Sequence, residues 1–146
     1  KRFVSEEYET QWVHNAIFDK EDLRLVVCLK EDGRQIGIVS LMEANWVNRS
    51  AKCGWMIGDR SLWGKGYATE AVRQVLRFGF QERGFHRISC SILESNAGSR
   101  RVAQKCGFRE EGLLREAVYK NGRFHNLVLF SVLSHEFLAT ENKNGE

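Results

Sequence analysis

The sequence contains no proline, so chain reversals fall to glycine and asparagine. No apolar run approaches the ~20 residues of a helical membrane span, and no signal peptide is visible, so no membrane partner is expected. The four cysteines, Cys28, Cys53, Cys90 and Cys106, form no C-x-x-C pair. The histidines His14, His86, His125 and His135 stand at no metal-ligand spacing from them, so no metal is expected. Buried free thiols in a reducing compartment follow, which points to the cytoplasm. The formal net charge of +3 is small and evenly spread, which argues against nucleic acid as a partner. The first residue is Lys1 rather than Met, consistent with a chain that starts downstream of an upstream strand.

What remains is an ordinary globular composition. With 146 residues, 42% hydrophobic and 28% charged, the chain reads as a single domain over residues 1–146, with a polar tail from about residue 140. Residues 5–18 read as a helix with Trp12 and Val13 on one face. Residues 25–29 and 35–41 read as a hairpin about Asp32-Gly33, residues 45–50 as a loop, and residues 51–57 as a third strand. Ala68, Ala71, Val72, Val75, Leu76 and Gly79 recur at helical spacing. Ile88, Cys90 and Ile92 alternate as in a strand; Asn96 caps a short helix that ends at Gly107. Residues 108–119 and 127–133 flank Asn121-Gly122, a hairpin signal. The order implies an α/β (α+β) fold, a mixed and mostly antiparallel sheet flanked by helices.

The most specific stretch is Trp63-Gly64-Lys65-Gly66-Tyr67-Ala68-Thr69-Glu70-Ala71, placed between the third strand and a helix. A helix N-terminus carries free N–H groups and the positive end of the dipole, and glycine lets a phosphate approach the backbone. Such a loop is an anion cradle.

With its flanks, this loop resembles the acetyl-CoA motif of the GNAT family, the Gcn5-related N-acetyltransferases, commonly Q/R-x-x-G-x-G/A; here it reads Ser61-Leu62-Trp63-Gly64-Lys65-Gly66. The segment Asn96-Ala97-Gly98-Ser99-Arg100-Arg101-Val102-Ala103-Gln104-Lys105-Cys106-Gly107-Phe108 is similar to that of the Rim-type ribosomal-protein N-terminal acetyltransferases. Asn48-Arg49-Ser50-Ala51 and Tyr119-Lys120-Asn121-Gly122 match as well, so the resemblance spans roughly residues 35–137. Ser61 stands where Arg or Gln is usual, Lys52 where many relatives carry Glu, and the family's first strand is not visible before Lys1.

The resemblance implies direct acetyl transfer from acetyl-CoA to a primary amine. It assigns the pyrophosphate to Trp63, Gly64, Lys65, Gly66, Tyr67, Ala68 and Thr69, and the pantetheine arm to Met56, Ile57 and Asn96. Ala103 occupies the position of the Tyr acid found in many members, so the thiolate's partner maps to Ser99. Glu43 is the first candidate for the base, with Glu94, Glu116 and His125 as rivals. The acceptor site would lie near Trp12, Trp46, Tyr119 and Phe124, with Glu43 and Asn45 facing a cationic amine. A protein N-terminal amine is the expected acceptor, a polyamine, amino sugar or antibiotic the alternative. A non-catalytic acyl-CoA-binding module is the competing class, and a homodimer is possible.

Overall fold

A computed structural model describes residues 22–144. The expected helix at 5–18, with Trp12, lies outside the described residues. In chain order the elements are β1 (Leu23–Cys28), β2 (Gln35–Asn45), β3 (Ser50–Ile57), a 3-10 turn (Arg60–Leu62) and α1 (Tyr67–Gln81), then β4 (Arg87–Leu93), α2 (Ala97–Lys105), β5 (Arg109–Lys120), β6 (Arg123–Leu133) and α3 (Ser134–Asn144). The strands form one sheet in the order β1-β2-β3-β4-β6-β5, antiparallel except where β3 meets β4. The expected mixed, mostly antiparallel sheet is therefore present. No helix was expected after the last strand; Ser134–Asn144 form α3, and it takes in the polar residues from 140 to 144 that were expected as a tail.

One face of the sheet carries the core. Val39 and Leu41 of β2, Ile88 of β4 and Val128, Phe130 and Val132 of β6 are buried together with Val72, Val75, Leu76 and Phe80 of α1. The apolar positions of α1 fall three and four apart, so one stripe of the helix covers the sheet. Each fully buried side chain of this size contributes about 1.5–3 kcal/mol. The Phe137 ring of α3 packs 5.4 Å from that of Phe80, and Glu141 pairs with Arg77, which fixes α3 beside α1.

Local chemistry sets the element ends. The Asn96 side chain accepts a hydrogen bond from Ser99 N–H and caps α2. Gly107, at φ +88°, closes α2 as Phe108 N–H donates to Ala103 O. Asn121 and Gly122, both at positive φ, make the turn between β5 and β6, as their sequence predicts.

Two irregularities in β2 shape the site. Val27 pairs with Gly37 and Cys28 with Gln35, so Ile36 is an extra residue, and such a bulge increases strand twist. A Cβ at Gly37 would lie 2.1 Å from Met56 O, so glycine permits this close approach of β2 to β3. The second irregularity falls between Met42 and Asn45, where Glu43 adopts φ 52°. The strand was expected to stop near 41; it continues through this bulge to Asn45.

Candidate active site

The glycine loop is built by short-range contacts. Asp59 Oδ1 accepts hydrogen bonds from Ser61 N–H (2.9 Å) and Ser61 Oγ–H (2.7 Å). The hydroxyl bond, followed by the backbone bond, holds the Asp59 carboxyl below its ordinary pKa. Ser61, the departure from the usual motif, thus braces the turn. Leu62 is buried beneath it, and Trp63 Nε1 donates to Ile57 O at 2.8 Å, tying the loop to the end of β3. Gly64 and Gly66 have φ of +75° and +85°, a region other residues adopt only with strain, and nothing stands within 4 Å of where a Cβ would be. Gly66 caps α1 with no side-chain hydrogen bond, and the first helical bond runs from Glu70 N–H to Gly66 O (3.0 Å). The N–H groups of Tyr67, Ala68 and Thr69 precede that ladder at the positive end of the helix. A cradle open to solvent, lined by amides and lacking Cβ atoms, fits a pyrophosphate.

The sheet parts beside it. β3 and β4 pair only at Ser50–Arg87, Ala51–Ile88 and Lys52–Ser89. Beyond Lys52 the edge of β3 that faces β4 has no strand partner among the described residues. Gly58 N–H donates to Ile36 O, and alternation along the antiparallel ladder turns the backbone of Cys53, Trp55 and Ile57 toward the parting. Of the two residues expected here, Ile57 presents its backbone to the cleft. Met56 is paired with Ile38 of β2 and exposes its side chain.

Asn96 and Ser99 stand at the open end of this cleft, where β4 passes into α2. The Asn96 Oδ1 is engaged in the cap, which leaves its amide NH2 without a partner among the described residues. Ser99 is half-buried in the first turn of α2.

Glu43 lies at the other end. Its carboxylate is 2.7 Å from Lys52 Nζ, at the last paired residue of β3, and its N–H donates to Asp22 Oδ1. The distance from Ser89, the partner of Lys52, to Leu93 is roughly 13 Å of strand. Glu43 and Ser99 are therefore not neighbours. Asn45 is also occupied, accepting from Asn48 N–H in the turn after β2.

The rival residues come together instead. Glu94, Ser95, Glu116, Arg123, Phe124, His125 and Asn126 line an open pocket of about 480 Å³ next to Asn96. Asn126 is its hub, a residue the sequence did not single out. Its Nδ2 donates to Glu94 Oε2 and its Oδ1 accepts from Glu116 N–H, both at 2.7 Å. Glu116 has φ 50° at an irregularity in β5. His125 Nε2 is bonded to Lys120 O at 2.9 Å. Tyr119 and Phe124 meet edge to face at 5.1 Å near this pocket, whereas Trp46 stacks on Phe85 at the opposite end of β4. The expected aromatic group is thus divided.

Cys53, Cys90 and Cys106 are buried, but Cys28 is exposed, contrary to expectation. Burial pushes the Cys90 thiol up to about 12 and the Cys106 thiol up to about 11, so neither is a thiolate nucleophile at neutral pH. No helix among the described residues is long and apolar enough to cross a membrane.

Comparison with known proteins gives this geometry a family. Residues 2–109 match the acetyltransferase (GNAT) domain model. The putative ribosomal N-acetyltransferase YdaF of Bacillus subtilis is 37% identical over 106 residues, 73% of this chain and 57% of that protein; the match thus spans little more than half of YdaF. The spermidine N(1)-acetyltransferase of Vibrio cholerae is 32% identical over 124 residues, covering 84% of this chain and 69% of that protein. The crystal structure of spermidine N-acetyltransferase from Vibrio cholerae in complex with CoA and spermine superposes with a TM-score of 0.84 at 28% identity, over 94% of this chain and 80% of that one. With its glycine loop at the head of α1, its parted β3 and β4 and this match over most of its length, the chain belongs to the GNAT family of acetyl-CoA-dependent N-acetyltransferases.

Proposed function

We propose that the chain transfers an acetyl group from acetyl-CoA directly to a primary amine, and that the acceptor is the terminal amine of a protein chain. Acetyl-CoA, when bound, supplies the acyl group as an activated thioester. The amides from Gly64 to Thr69 would hold its pyrophosphate, with Lys65 adding charge and Trp63 flooring the loop. The Ile57 backbone and the Asn96 amide would hold the pantetheine arm. Ser99 Oγ–H would donate to the departing thiolate; a thiol of pKa about 8.5 needs no stronger acid.

The observation that carries the acceptor reading is the open pocket of Glu94, Glu116 and Asn126. Two carboxylates against the single guanidinium of Arg123 suit one ammonium group. The openness suits an extended chain behind it. Asn126 holds Glu94 in place to orient the amine. The Glu116 carboxylate, which has no partner among the described residues, would take the proton, directly or through water. Glu43 is the less suited base, because Lys52 already engages its carboxylate.

A second reading, a polyamine as acceptor, is supported by the spermidine acetyltransferases among the relatives. Thiol release from acetyl-CoA, measured over peptides with free N-termini, polyamines and amino sugars, separates the readings. Turnover with peptides is expected; turnover with polyamines alone favours the second reading. Tight CoA binding without turnover on any amine would make the chain a binding module.

A further inference from the structure

We propose that the indole N–H of Trp55 is a ligand-binding donor of the cleft between β3 and β4, and that its acceptor is an amide carbonyl of the pantetheine arm. The inference rests on the acetyl-CoA reading above. Trp55 lies three residues past Lys52, the last residue of β3 to pair with β4. Its backbone faces the parting, by the alternation that Gly58 N–H to Ile36 O establishes. Its ring packs on the helical side of the sheet, 6.2 Å from the ring of Phe108, the residue that follows α2. The indole thus reaches from the free edge of β3 to the residue that follows the C-terminal end of α2.

Its Nε1 is buried and has no hydrogen-bond partner among the described residues. An indole nitrogen is a donor only, so no rotation or change of tautomer can satisfy it. A buried N–H without an acceptor is costly and uncommon in folded proteins. Trp63, on the same cleft, shows the contrast, since its Nε1 is satisfied by Ile57 O. The unsatisfied donor occurs where the sheet has opened. An extended ligand arm carrying amide groups would bring carbonyl oxygens there, and a phosphate at the glycine loop would not reach it.

The test uses the whole chain and two probes, CoA and ADP; ADP carries the pyrophosphate but lacks the pantetheine arm. In spectra of 15N-labelled protein, the Trp55 indole resonance is assigned by its absence in Trp55→Phe. It should move downfield on addition of CoA and stay in place on addition of ADP, while loop amides such as Gly66 respond to both. By calorimetry, Trp55→Phe should bind CoA about tenfold more weakly, about 1.4 kcal/mol, and ADP as tightly as before. An indole signal unmoved by CoA, with loop amides shifting, would overturn the proposal and assign the N–H to a bound water. Equal losses for CoA and ADP would overturn it too, by making Trp55 a packing residue. If neither probe shifts any resonance of the unmodified chain, it is the cofactor reading that fails.

Discussion

The glycine loop and the pocket around Asn126 lie at the same end of the cleft but are built differently. The loop presents backbone amides of consecutive residues, positioned by φ angles that only glycine holds without strain. The pocket is made of side chains from the end of β4, an irregular stretch of β5 and the start of β6, joined through Asn126. A backbone site tolerates change in most of its side chains and fails when its glycines are replaced. A side-chain site keeps its backbone under mutation and loses selectivity one contact at a time.

That contrast can be broken in order of expected effect. Gly66→Glu should abolish CoA binding in calorimetry, because it forces a Cβ into φ +85° and sets a carboxylate against the phosphates. Undiminished affinity would remove the cradle assignment. Next, Glu116→Gln should lower kcat by about 100-fold or more if Glu116 takes the proton, with CoA affinity unchanged. Glu43→Gln, measured beside it, should change kcat little, since exposed ion pairs such as Glu43–Lys52 contribute ~0–1 kcal/mol. The reverse ranking would return the base to Glu43. Ser99→Ala should lower turnover more than CoA affinity; equal losses in both would reduce Ser99 to a residue of the cap.

The smallest expected effects concern the thiols. At neutral pH one cysteine, the exposed Cys28, should react quickly with a thiol reagent, and the three buried ones only on unfolding. Burial raises the buried thiols, so the folded state favours their protonated form. Their contribution to stability is complete below 9.0, the ordinary thiol value, and is lost as pH rises toward about 11 for Cys106 and about 12 for Cys90. Thermal melts that show no alkaline loss in this window, with Cys90→Ala as control, would contradict the burial argument.

The two regions also differ in how far they could be read in advance. Gly64, Gly66, Asn96, Gly107 and Asn121-Gly122 were legible because a backbone requirement restricts the residue type at that position. The bulge at Glu43 was not, since nothing in Met42-Glu43-Ala44-Asn45 demands a positive φ at a glutamate; pairing with Ser50–Lys52 imposes it. The whole of α3 was missed because its last residues are polar, and the Phe80–Phe137 and Arg77–Glu141 contacts that hold it are remote in sequence. Asn126 carried no local signal, for its partners Glu94 and Glu116 lie 32 and 10 residues away.

By itself, then, the sequence determined the order of the elements from β1 through β6, the glycine cradle and the caps, all of which depend on residues within a few positions of one another; the helix α3 after β6 it did not determine. The tertiary structure decided where β3 leaves β4, that Glu43 faces Lys52 rather than Ser99, that Glu94 and Glu116 share a pocket, and that the Trp55 N–H has no partner among the described residues. These depend on strand register and on contacts between distant segments, and a one-residue slip of a strand would turn each such side chain to the other face.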